Sequence, residues 1–454
     1  MIGVFERYRQ TLPESAVDEL LQGQQAFSRD SPLSAWVVIW LMIFQRLHVK
    51  GTLSVAVLEL LTGAVREWMR WPEGVPKEDF SANTSGYSQA RSKLPLEVAI
   101  QVSQLTFQSL HQQQPTVLPE LNCSLFVLDG STILQANTPE LVKAHPPARN
   151  QHGASHWPVI RVLVAHDVVS GLATPPCWGP LGGPQAVSEQ GLSKEIMGRL
   201  PAGCAIMGDR NFGIFSVAYH AKQGQRPCLF RLTKSRAQKL NGGIAPASRT
   251  DKVIRWRPTR EDLRNNPEIP REAYVDGRLL AFKVRDALGK FQKLYFFTTL
   301  ALPADQVPQV YGYRWRIETD LRSLKREVRL HMINAKSVEM VGKELVLGVA
   351  AYNLTRATMN QAAAALHLEP RQFSYARAQD TINAFLPAFA QARSDAERQA
   401  LMDRMLKIFA QLTLPRRRKR RSAPRVIWPR PCSFPKRKVA TQKSKIRKVR
   451  KGVA

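Results

Sequence analysis

Three carboxylates in this chain stand where chemistry on phosphate could be done. Asp129 closes the apolar run Leu125-Phe126-Val127-Leu128, and Asp209 closes Ala205-Ile206-Met207-Gly208, so two predicted strands each end on an acid. Read singly, each has an ordinary use: Asp129-Gly130 as a turn, Asp209 as the cap of a following helix. The third acid lies on a predicted helix running from Tyr311 to Lys325. At 3.6 residues per turn, Tyr311, Arg314, Glu318 and Lys325 fall within an arc of roughly 60°. Ile317, Leu321, Leu324 and Val328 form an apolar stripe beside that row, which packs the helix down and brings the row to the margin of the core. The same wheel sends Asp320 and Glu327 to the opposite side and selects Glu318 as the inward-facing acid. An amphipathic helix with only an Arg314–Glu318 ion pair at i,i+4 fits the spacing as well. Three carboxylates at one sheet edge supply the hard oxygen ligands that two divalent cations need, with positions left open for phosphate and water. Basic side chains on the same helix face would hold the phosphates of a nucleic acid.

Charge indicates the partner. Among 454 residues there are 66 Lys and Arg against 36 Asp and Glu, a formal net charge of +30, and so unbalanced a chain repels itself unless it works beside a polyanion. DNA is the expected partner and phosphodiester chemistry the expected reaction. A hydrophobic content of 44% with 22% charged residues excludes wholesale disorder. Cys123, Cys177, Cys204, Cys228 and Cys432 stand singly with no Cys-x-x-Cys, which argues against a zinc cluster or disulfide framework and for a reducing compartment. Glu6, Arg7 and Arg9 fall where a signal peptide would need an apolar run, and the longest strictly apolar run, Ala35 to Phe44, is about half a membrane span. The expected location is cytoplasmic, at the nucleoid, with no membrane partner.

Patterning along the chain predicts the scaffold. Residues 1–115 read as a helical DNA-binding domain, with apolar positions at three-and-four spacing in Val17 to Leu21 and Val55 to Val65. Between Leu118 and Leu232 come β-rich runs, Leu125 to Asp129, Val159 to Asp167, Leu172 to Trp178 and Ala205 to Asp209, with one helix over Ser188 to Leu200. Such mixing argues for a layered α/β fold around a central sheet. Residues 233–302 hold short strands, Leu279 to Val284 and Lys293 to Leu300, among charged and Gly/Pro-rich loops, and read as an inserted β-subdomain without helices. Helices are expected again over 303–360 and 361–415, interrupted near Pro370 and Pro387. Residues 416–451 then carry 17 Lys or Arg and no acid. This tail, 416–454, reads either as a solvated extension or as a non-specific grip on DNA, with Trp428 and Phe434 tilting it toward DNA.

These residues resemble one family in particular. Tyr311, Arg314, Glu318 and Lys325, with two, three and six residues between successive members, reproduce the Tyr-x2-Arg-x3-Glu-x6-Lys signature of a subgroup of the DDE transposases of bacterial insertion sequences. Val127-Leu128-Asp129-Gly130-Ser131 is similar to the family's first acidic box. Gly208-Asp209-Arg210-Asn211-Phe212-Gly213 is similar to its second, although Gly is commoner at the position of Asn211. Ser88-Gln89-Ala90-Arg91-Ser92-Lys93-Leu94-Pro95 resembles a segment that precedes the catalytic core. The resemblance implies a ribonuclease-H-like mixed sheet core over 116–232 and 303–360, interrupted by the β-rich insertion and flanked by the N-terminal helical domain and C-terminal helices. It implies that Asp129, Asp209 and Glu318 are catalytic and bind two Mg²⁺, for which Mn²⁺ could stand in. One ion would activate a water at the element end, the other would stabilise the leaving 3′ oxygen, and the freed 3′-hydroxyl would attack target DNA. Tyr311, Arg314 and Lys325 are implied to grip terminal phosphates. A hairpin intermediate needs a flipped base held by an aromatic side chain, and Trp256 and Trp315 are both candidates. The implied partners are the element's terminal repeats, target DNA and a second copy of the chain in a synaptic homodimer.

His152 and His156 share a loop with no third ligand nearby and read as incidental. Asp167 ends a strand just before Ser170-Gly171, which suits a hairpin turn, and is the substitute acid should Asp129 fail. Two other functions fit parts of the sequence. A metal-dependent, structure-specific nuclease would share the site but join nothing, and a non-enzymatic DNA-binding protein would account for the charge but not the signature.

Overall fold

The computed structural model describes residues 3–22, 27, 31–48, 51–69, 81–114, 116–150, 153–154, 156–285 and 291–414. Helices come first: α1 Val4–Thr11, α2 Glu14–Leu20, α3 Ala35–Leu47, α4 Leu53–Thr62, α5 Ser85–Lys93 and α6 Leu96–Gln113. The ten-residue apolar run is the heart of α3, where the Ser34 hydroxyl caps the start by accepting from the Val37 N–H. Being apolar on every side, α3 is buried on every side. Among the described residues no helix is long and apolar enough to cross a membrane.

A mixed sheet of eight strands follows: β1 Leu125–Leu134, β2 Val159–Asp167, β3 Cys177–Pro180, β4 Ala205–Gly208, β5 Cys228–Leu232, β6 Asp251–Trp256, β7 Val275–Arg285 and β8 Phe291–Thr298. Their spatial order is β3-β2-β1-β4-β5-β8-β7-β6. β1, β2 and β3 pair antiparallel, β4 and β5 run parallel to β1, and β8 returns antiparallel to β5. Between and after the strands lie α7 Pro139–Ala144, α8 Glu189–Gly198, α9 Phe215–Gln223, α10 Lys234–Leu240, α11 Arg260–Asn265, α12 Val307–Gly312, α13 Trp315–Arg326, α14 Val338–Ala365, α15 Tyr375–Gln391 and α16 Asp395–Gln411.

Alternation along the central strands sorts two cores. Leu125 and Val127 of β1, Ala205 and Met207 of β4, and Leu229 of β5 pack with Val307, Val310, Tyr311 and Ile317. The intervening Phe126, Leu128, Ile206, Cys228 and Phe230 belong to the larger core, which takes in α3, α6 and α14.

The structure departs from the expected organisation in two respects. Residues 233–302 extend the central sheet, since β8 pairs with β5 from Tyr295↔Leu232 to Thr298↔Leu229. They also contain α10 and α11, each started by a threonine: Thr233 accepts from the Arg236 N–H, and Thr259 with Asp262 forms a reciprocal capping box. These helices are too short for periodicity to reveal. The N-terminal helices, second, share their core with α14. The Ser103 hydroxyl donates to the Val346 carbonyl at 2.9 Å, and Arg46 and Arg91 both pair with Glu344.

Candidate active site

Strand register builds the site. Val127 pairs with Met207 and Met207 with Leu229; two residues further on, the same level holds Asp129, Asp209 and Arg231. Alternation turns all three toward the face that α12 and α13 cover. Asp129 is not the end of its strand, because β2 stays alongside β1 from Asp129↔Val164 to Leu134↔Val159. Pairing with β4 does stop, after Val127, and that opens a corner at Asp129. Asp209 follows β4 directly and accepts the Asn211 N–H on Oδ1 at 2.8 Å. It holds its own loop and does not cap α9, which starts at Phe215.

Burial pushes the Asp129 carboxyl up to about 6; the Gly130 N–H and Arg314 lower it, while the charges of Asp209 and Glu189 raise it.

The signature residues do not share one helix. α12 stops at Gly312 and α13 begins at Trp315. Between them the N–H groups of Tyr313, Arg314, Arg316 and Ile317 each donate to the carbonyl three residues back, a tighter winding than an α-helix. Tyr311 is only 7% exposed and its ring meets Phe296 edge-on at 4.8 Å. Burial raises its hydroxyl pKa, against the lowering effect of Arg314 and Arg231 beside it. Arg314 Nη2 stands 3.5 Å from Glu318 Oε1. Lys325, partly buried, has its ammonium pKa lowered by burial and lies about 10 Å along the helix axis from Glu318.

The wheel's choice of Glu318 as the inward acid is overturned. Glu318 is 47% exposed, whereas Asp320 is fully buried. Asp320 accepts from Arg356 Nη2 at 2.7 Å and from both terminal nitrogens of Arg371 at 2.9 Å, with His166 Nδ1 3.9 Å away. The two acids flank the apolar stripe, roughly 70° and 90° from its centre, so helix geometry alone scarcely separates them. What decides is cover. Arg356 on α14 and Arg371 beyond it close over the flank of Asp320.

Asp167 is a hairpin residue, accepting from the Val169 N–H at 2.9 Å, the Ser170 N–H and hydroxyl at 2.6 and 2.9 Å, and the Thr116 hydroxyl at 2.6 Å. His152 lies outside the described residues. Of the two tryptophans, Trp256 is 6% exposed and edge-on to Phe297, while Trp315 is 63% exposed with the Arg314 guanidinium 4.8 Å from its ring. Sequence reasoning missed Arg231, legible only once β1, β4 and β5 are aligned. It also missed Glu189, whose sole signal was its place just after the helix cap Ser188.

Among the described residues no three carboxylate, imidazole or thiolate groups are gathered closely enough to hold a metal ion. Two of the acids nonetheless suit one. Asp129 and Asp209 offer hard oxygens at one corner, and a divalent cation between them would offset the burial, and the neighbouring negative charges, that lift Asp129. Glu318, beside Arg314, is not gathered with them.

Residues 124–354 match the family described as "Transposase DDE domain". That span opens just before β1, ends within α14 and contains Asp129, Asp209, Tyr311, Arg314, Glu318 and Lys325. Transposase InsG for insertion sequence element IS4, from Escherichia coli (strain K12), is 24% identical over 365 residues, covering 77% of this chain and 78% of that protein. A piggyBac transposase synaptic complex with hairpin DNA, seen by cryo-EM, superposes with a TM-score of 0.46 at 11% identity, over 91% of this chain and 86% of that one. The family match takes in more than half of the sequence, and the chain therefore belongs to the DDE transposases, divalent-metal-dependent enzymes that cut and join DNA.

Proposed function

We propose that Asp129, Asp209 and Glu318 hold two Mg²⁺ ions, and that the protein cuts DNA at the terminal repeats of its own element and joins those ends to target DNA. The observation that carries this reading is the row at the sheet corner, two carboxylates and Arg231 level on adjacent strands, with Arg314 acting on Asp129 and Glu318 next to Arg314. Bound there, the ions, or Mn²⁺ in their place, would activate a water for in-line attack and stabilise the leaving 3′ oxygen. The side chains have their own tasks. A DNA phosphate that draws Arg314 away from its 3.5 Å contact frees Glu318 to join the aspartates. Tyr311, buried with its hydroxyl as well as its ring, reaches a phosphate only when DNA uncovers that hydroxyl, and Lys325 grips one further along the strand. In this reading 116–232 and 303–360, with the strands of 233–302 continuing their sheet, form a ribonuclease-H-like core, the working form is a homodimer on paired ends, and the protein acts in the cytoplasm at the nucleoid.

Incubating the protein with Mg²⁺ and DNA bearing its element's ends tests the reading. Joined products are expected; a cut without joining would make the chain a nuclease, and no cut at all would leave a DNA-binding protein.

Of the two aromatic candidates only Trp315 can stack on a base. Trp315→Ala is expected to slow end processing by about 10-fold or more, since a base–aromatic stack is worth about 1–3 kcal/mol, with end binding little changed. Gels of cleavage intermediates check this, and wild-type rates in the variant would remove Trp315 from the mechanism.

The basic tail lies outside the described residues. Deleting everything after Pro415 is expected to weaken binding to all sequences alike and to flatten its salt dependence, each lost phosphate contact reducing the log–log slope by about 0.9. Salt titrations on end-containing and random DNA decide it. An unchanged slope would mean a solvated tail.

A further inference from the structure

We infer that Glu189 is a positioning residue for the two aspartates and acts through Asn211; this rests on reading Asp129 and Asp209 as metal ligands. Glu189 opens α8, whose cap Ser188 accepts from the Gly191 N–H at 2.9 Å. Leu192 and Ile196 anchor that helix in the larger core, on the face of the sheet away from α12 and Ile317 of α13. From there Glu189 reaches past β1 at Gly130. A Cβ at Gly130 would overlap the Glu189 carboxylate, so a glycine is what opens the path. Beyond it, Glu189 Oε2 accepts from Asn211 Nδ2 at 2.6 Å. The next residue completes the grip: Gln190 Nε2 donates to Asn211 Oδ1 at 2.6 Å and to its carbonyl at 3.1 Å. Both ends of one amide are thus held by consecutive residues of one helical turn.

The grip passes straight to the site, because the Asn211 N–H donates to Asp209 Oδ1 at 2.8 Å. A continuous set of hydrogen bonds runs from α8, beside the strand carrying Asp129, to the carboxylate of Asp209. It fixes the loop after β4 against β1, and with it the angle between the two acids. Asn211, where the second acidic box departs from the commoner Gly, is the side chain that is gripped. Groups that orient a metal's ligands typically contribute 10–100-fold in metal affinity.

The test is a titration of the full-length, DNA-free protein with Mn²⁺ alone, free ion being read by electron paramagnetic resonance, for wild type, E189A, E189Q, N211A, E189A/N211A and D209A. Melting temperatures are measured alongside. Loss of binding in D209A secures the underlying reading. The inference then expects E189A and N211A each to weaken Mn²⁺ binding about 10-fold or more. The double variant should be no worse than either single, because both break one linkage. E189Q should restore binding to within about threefold, since its amide oxygen still accepts from Asn211. Should E189A prove unfolded, N211A and E189Q carry the test. Two results overturn the inference while the reading stands: wild-type binding in N211A, or E189Q as weak as E189A, which would make the Glu189 charge itself a ligand. Wild-type binding in D209A would overturn the reading and the inference with it.

Discussion

Asp129→Asn is expected to abolish cleavage and, in the same protein, to raise the melting temperature of the metal-free form. The first effect follows from losing a charged oxygen ligand at the open corner of the sheet. The second follows from what that carboxylate endures without a cation. Its folded pKa of about 6, raised by burial and by Asp209 and Glu189, lies above the ordinary carboxyl value of 3.8. The folded state therefore holds the proton more firmly than the unfolded chain, and stability falls as pH rises from about 4 to about 6. Above that window the full penalty applies, and a neutral amide removes it, a gain of roughly 1–3 kcal/mol at pH 8. Calorimetry at pH 8 and below pH 4 checks the sign, since the gain should vanish in acid. Saturating Mn²⁺ should stabilise the wild type and leave the variant unmoved. A variant less stable than wild type at pH 8 would mean that partners hold the carboxylate firmly enough to outweigh its burial and the charges beside it.

Asp320→Asn is expected to cost about 3–5 kcal/mol, because it strips the counter-charge from buried Arg356 and mostly buried Arg371. Burial alone would raise the Asp320 carboxyl, but Arg371 and Arg356, with His166, outweigh it and hold the pKa below the ordinary value. Its contribution is accordingly present above about pH 4 and lost only as pH falls through the lowered folded value. The loss would spread, since Arg371 also donates to the carbonyls of Val168 and Asp167, and Arg316 of α13 to Val168. Glu318→Gln provides the contrast two residues away. There cleavage should vanish while the unfolding midpoint stays within about 0.5 kcal/mol of wild type, as for a half-exposed side chain. Chemical denaturation of both variants separates the roles, and wild-type stability in Asp320→Asn would show that the arginines find other partners.

That contrast locates the limit of the sequence. Two acids after apolar runs, and a third at fixed spacing from Tyr311, Arg314 and Lys325, are local patterns, and the first two do stand level at one corner of the sheet. Which flank of α13 is buried depends on Arg356 and Arg371, far along the chain, and a helical wheel made Asp320 look dispensable. The continuation of β1 past Asp129-Gly130 was hidden in the same way. Gly130, Ser131 and Thr132 look like a turn, but pairing with Leu163, Val162 and Arg161 overrides local preference. Arg231 was invisible because its place beside the aspartates depends on the register of three strands.

The Asp320 clamp also sets a time. As the chain is synthesised, all three acids are in place once Glu318 is made, yet Asp320 waits for Arg371, 51 residues later. At about 5–20 residues per second that interval is about 3–10 s. Throughout it, the helix bearing Glu318 has to seat a buried carboxylate without its full countercharge. A chain terminated early, anywhere before Arg371, is left in that condition permanently.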